Sequence, residues 1–137
     1  MKYTKEQKQE YFRKLRERWA ESKKLAEKDE TAKALYKEAF STTTSGNISY
    51  WSFYFTLQDM KANGFDGIPY VDCKTYQGWL KSGFRVKRGE KSRISGIVWL
   101  APMVRDEETG ELVEDEESGI RFPKLYHLFH RSQVKEI

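Results

Sequence analysis

The chain has 137 residues, 34 % of them charged and 15 % aromatic, with a net charge of +4. That is the length of one domain, and disordered chains are poor in aromatics, so a folded unit with a small core of large rings is expected. The lone Cys73 excludes an internal disulfide or a thiolate zinc cluster. With no signal-like N-terminus and no apolar run of membrane length, the expectation is a cytoplasmic protein without membrane association.

Residues 4–28 carry the pattern of a helix. Thr4 stands in capping-box spacing to Gln7. Tyr11, Leu15, Trp19, Ser22 and Ala26, widened by Phe12 and Leu25, form the apolar stripe that should face a core. Asp29 is placed to cap a second helix reaching about Phe40. The polar stretch 41–47 reads as a linker, the best internal boundary within a single domain spanning 1–137. It divides a charged helical arm, 1–40, from a core over 47–137. Residues 48–64 are rich in rings and suit a strand in their first half, but their length and the terminal Gly64 favour a helix.

A turn-rich connector leads to a short helix over 72–83, capped by Asp72 or Thr75, weakened by Gly78 and ended by Gly83. Residues 84–87 alternate apolar and basic as a strand, Arg88 and Gly89 turn the chain, and 92–103 is the strongest strand pattern. Residues 104–119 read as a long, mostly solvated acidic excursion with a hairpin-type "ETGE" loop. Residues 120–134 return as a strand that Pro123 confines to an edge in its early part. The expected class is α+β: N-terminal helices followed by a small antiparallel sheet.

No phosphate loop, dinucleotide loop or nucleophile elbow is visible, so neither catalysis nor a cofactor is expected. His127 and His130 lie three apart on a strand, hence on opposite faces, and make a poor metal pair. Charge, by contrast, is strongly segregated. Residues 74–93 hold Lys74, Lys81, Arg85, Lys87, Arg88, Lys91 and Arg93 against Glu90 alone, while 104–119 hold eight acids against Arg105. A concentrated positive field points to a nucleic-acid partner.

Strand alternation sets Arg85 and Lys87 on one face, and Lys91 and Arg93 can continue that stripe across the turn. Tyr76 and Trp79 lie just upstream. Rings interleaved with cations suit a single strand, whose bases stack and whose phosphates need counter-charge. The residues alone leave two readings open: this surface, or core rings beside a turn kept soluble by its charges.

The stretch "TYQGWLKSGFRVKRGEKSRISGIVWLAP", 75–102, resembles the N-terminal single-stranded-DNA-binding domain of ArdC-type antirestriction proteins, a family common on plasmids and phages. The similarity is carried by Thr75, Tyr76, Gln77, Trp79, Gly83, Val86, Lys87, Arg88, Gly89, Glu90 and Lys91. Phe129, Gln133 and Val134 match the family's closing strand, and 49–65 is loosely similar to the preceding helix. The charged helices of 1–40 and the acidic insertion at about 104–119 depart from that pattern, and the family's metalloprotease-like domain has no counterpart.

The resemblance implies a non-enzymatic single-stranded-DNA-binding protein. Arg85, Lys87, Arg88, Lys91 and Arg93 would contact phosphates, with stacking on Tyr76 and Trp79. The alternative is a counter-defence protein whose acids at 106–117 occupy the DNA-binding surface of a host defence protein. A magnesium-dependent nuclease using those acids ranks third. No motif fixes an oligomeric state.

Overall fold

The computed structural model describes residues 3–42, 48–115 and 117–137. The linker expected over 41–47 lies, from residue 43 on, outside them. Helix α1, Lys5–Lys28, starts at the expected box: Thr4 Oγ1 accepts the Gln7 N–H at 3.1 Å and Gln7 Oε1 accepts the Thr4 N–H at 2.8 Å. Asp29 ends that helix and caps α2, Glu30–Thr42, by accepting the Ala32 N–H at 2.9 Å.

Helix α3, Tyr50–Ala62, is the element that α1, α2 and the three-stranded sheet pack against. Ser49 caps it. A left-handed Gly64 (φ 77°) stops it, with the Phe65 N–H bonding Met60 O at 2.9 Å and the Gly64 N–H bonding Lys61 O at 3.2 Å. Phe53 to Leu57 and Met60 are all buried, so the helix is covered around most of its circumference. That explains the missing period in its sequence. Ala26 and Ala32 pack with Tyr54 and Leu57, and the Tyr50 hydroxyl donates to Ala26 O at 2.7 Å across the joint between α1 and α2.

The stripe expected on α1 is narrower than its sequence suggests. Leu15, Ser22 and Ala26 are buried, but Tyr11 is 50 % exposed and Leu25 46 %. Leu15 docks with Phe55 and Ile97; near the N-terminus Phe12 meets the Phe122 ring and leaves Tyr11 outside. Leu25 lies about 80° around the helix from Leu15, on the flank of this seam.

The strands form small antiparallel sheets. β1 (Cys73–Lys74), β6 (Phe122–His130) and β3 (Ile94–Leu100) make one, in the order β1-β6-β3. β2 (Phe84–Val86) pairs with β7 (Val134–Glu136), and β4 (Met103–Arg105) pairs with β5 (Leu112–Glu114) around the "ETGE" turn. With the N-terminal helices, this is the expected α+β class. β1 pairs with β6 only at His130 and Phe129, so Pro123, opposite Trp99, has a free edge on its other side. Among the described residues no helix is long and apolar enough to cross a membrane.

Two local readings are corrected. The helix after the connector, α4 (Tyr76–Lys81), is capped by Thr75 alone, because Cys73 and Lys74 are drawn into β1. Asp72 instead accepts the Ile68 N–H at 2.8 Å and the Arg131 Nε–H at 3.0 Å. The turn at Arg88 and Gly89 joins β2 to β3, yet those strands pair with different partners, so no hairpin carries one stripe across it.

The β3–β6 ladder is locked from within. At Gly96 a Cβ would meet Cζ of its cross-strand partner Tyr126 at 2.2 Å, so only glycine admits that ring. The Tyr126 hydroxyl lies 2.7 Å from that of Tyr70, which meets Thr56 Oγ1 at 3.1 Å; Thr56 donates to Ser95 O. The hydroxyls of Thr56, Tyr70 and Tyr126, between α3 and the sheet, are thereby paired.

Candidate nucleic-acid interface

The basic segment is organised by Gln133, which is 3 % exposed. Its Nε2 donates to Lys91 O at 2.8 Å and Glu90 Oε2 at 3.1 Å, and its Oε1 accepts the His130 N–H at 2.9 Å. Its backbone carbonyl accepts the Lys87 N–H at 2.9 Å. Gln133 thus holds both sides of the turn, Glu90 and Lys91 through its side-chain amide and Lys87 through its main chain. The turn itself closes by the Glu90 N–H on Lys87 O with Gly89 at φ 86°. This consumes the only acid of the segment and leaves the cation heads outside.

Arg85, Lys87, Arg88, Lys91 and Arg93 are all exposed. Lys87 Nζ donates to Ser132 O at 3.1 Å. Among the described residues the side chains of the other four have neither a hydrogen bond nor a carboxylate within 4.0 Å. Helix α1 behaves differently, since there Arg13 reaches Glu10 and Glu17, and Arg18 reaches Asp59 at 3.2 Å. The β2–β7 pairing brings in Lys135, directly opposite Arg85 and exposed. Sequence reasoning missed it, although Val134 in and Lys135 out is the alternation of a strand.

The two rings part company. Tyr76 opens α4, 49 % exposed, with its edge on Phe129 at a centroid distance of 6.5 Å. Trp79 is fully buried: its Nε1–H donates to Phe129 O at 2.8 Å, Phe84 packs on it at 5.4 Å, and Lys74 and Arg131 lie 5.1 and 5.4 Å from its ring centre. A base has no route to that face, so the expected stacking on Trp79 is replaced by an anchoring role, holding α4 against β6. Arg131 is occupied by Asp72 and by Val71 O.

No protein-family model, curated protein or solved structure matches the chain.

The two histidines differ. His127 is exposed. His130 stacks on Phe65 at 4.8 Å, and its ring nitrogens contact Ser132 Oγ at 2.9 Å and Asp66 O at 2.6 Å. Among the described residues no three His, Cys, Asp or Glu side chains are grouped to hold a metal. Cys73, on β1 beside β6, packs with Met60, Ile94 and Leu128, where burial pushes its thiol up to about 12.

Proposed function

We propose that the chain binds single-stranded DNA in the cytoplasm, without catalysis or a cofactor. The observation that carries this reading is the set of unpaired cations gathered around Gln133: Arg85, Arg88, Lys91 and Arg93, with Lys87 and Lys135 beside them. With the exposed Tyr76 on α4, the helix packed against β2, such a set suits a polymer offering both phosphates and unstacked bases. Those six side chains contact phosphates and Tyr76 stacks on a base; Trp79 supports them from beneath. The similarity of residues 75–102 to the ArdC-type domain favours single-stranded DNA among polyanions, and an antirestriction setting on a phage or plasmid.

Titration against single-stranded DNA, duplex DNA and RNA of one length tests the proposal. Single-stranded DNA should bind tightest. The triple change Lys87→Gln, Arg88→Gln, Lys91→Gln should flatten the plot of log affinity against log salt by about two units, at about 0.7 per lost contact. An unchanged slope in a folded triple variant would reduce the segment to a soluble turn.

A further inference from the structure

The β4–β5 ribbon has two strands and no sheet partner among the described residues. Met103, Val104, Leu112 and Val113 are 54 %, 40 %, 59 % and 38 % exposed. Val104 and Val113 form one cross-strand pair, while Met103 and Leu112 lie on the opposite face. Two-stranded ribbons are marginal in water, and exposed aliphatics on both faces are unusual for a purely solvating loop. Around them sit the acids of 104–119, eight against Arg105, whose guanidinium is turned inward to Gly110 O at 2.5 Å. Among the described residues no acid of this ribbon forms an ion pair.

The complementary surface is on the same molecule but out of reach. The basic turn precedes Ile94 and the ribbon follows Leu100, so the two lie at opposite ends of β3, about 23 Å apart at about 3.3 Å per residue. The basic end also shows apolar surface, in Tyr76 at 49 % and Ile137 at 78 % exposure, and Ile137 is held beside α4 by its N–H on Gly83 O. Each end therefore offers what the other lacks: unpaired acids around aliphatics, and unpaired cations beside a ring and an aliphatic.

We propose that the β4–β5 ribbon of one copy docks on the basic end of a second copy, in a head-to-tail contact that single-stranded DNA displaces. Contacts of this kind close into rings or run on as chains. The contact stands on charge and exposed apolar surface alone; only its displacement by DNA rests on the function proposed above.

Sedimentation velocity of the full chain across a salt series tests it with two charge-reversed variants. One is Glu107→Lys, Glu108→Lys, Glu111→Lys; the other is Arg85→Glu, Arg88→Glu, Lys135→Glu. The unchanged protein should associate at low salt and dissociate at high salt, each variant alone should be monomeric, and an equimolar mixture should associate again. A single-stranded oligonucleotide should dissolve the wild-type assemblies. A monomeric wild type at low salt would overturn the contact and leave the ribbon to a different basic partner. Association that either variant leaves unchanged would also overturn it. Association that forms as expected but ignores the oligonucleotide, with no DNA binding by the ribbon-reversed variant, would uphold the contact and reject the DNA-binding reading.

Discussion

Arg85 and Lys135 face each other across the β2–β7 ladder, two cations in direct register, neither with a carboxylate within 4.0 Å among the described residues. Like charges in such positions destabilise a ladder by roughly 0.2–1 kcal/mol. Lys135→Glu should therefore raise the denaturation midpoint slightly, by less than about 1 kcal/mol, while lowering affinity for single-stranded DNA and the salt slope by about 0.7. A variant that gains stability and keeps its affinity would place Lys135 outside the DNA surface.

Tyr76→Ala separates stacking from charge. The ring is half exposed and meets Phe129 only edge-on, so its loss should leave the melting temperature nearly unchanged. Affinity should fall by about 1–3 kcal/mol with the salt slope intact. Unaltered affinity would mean that no base sits there.

Gln133→Leu removes no charge, yet it should weaken DNA binding. The buried amide holds Lys91 O, Glu90 and the His130 N–H. An apolar replacement leaves buried backbone groups unpaired, at about 1–3 kcal/mol of stability, and frees the turn that spaces the cations. Denaturation and titration of the same sample would check both. Lost stability with full affinity would make the amide purely structural.

Alkaline pH should expose the state of Cys73. Burial raises its folded pKa from 9.0 to about 12, so the stability tied to its neutral thiol is complete below pH 9 and is lost as pH rises toward 12. Burial also raises Tyr70, whose contribution fades only above pH 10. The stability gap between the native chain and Cys73→Ala, followed by chemical denaturation, should be constant below pH 9 and shrink above it. A gap independent of pH would contradict this.

What was legible in the sequence was local. The Thr4–Gln7 box, the Asp29 cap, the Gly64 stop and the alternation of Phe84–Val86 each depend on residues a few positions apart, and each is found in place. Pairing was not legible. β2 and β7 have three residues each, too few to encode a partner, and adjacency in the chain favoured the wrong one, β3. Trp79 and Tyr76 present the same chemistry in sequence; their fates diverge because Trp79 faces β6 and finds Phe129 O, a contact fifty positions away. Lys135 became visible only through that pairing. The exposure of Tyr11 and Leu25 reflects the narrowness of the surface that α1 meets.

The glycine beneath Tyr126 makes the β3–β6 ladder a ruler. A two-residue slip would put Ile94 or Val98 where Gly96 now accepts the ring, and a one-residue slip would turn every side chain to the wrong face. The ladder has one usable index, and the interval between its positive and negative ends is fixed by the length of β3 itself. A nucleic acid strand laid along it from the basic turn would meet repulsion after about 23 Å, at about 3.3 Å per residue of β3. On the proposed function, the footprint on one molecule would be bounded by the length of β3, and not by how many cations the surface could still supply.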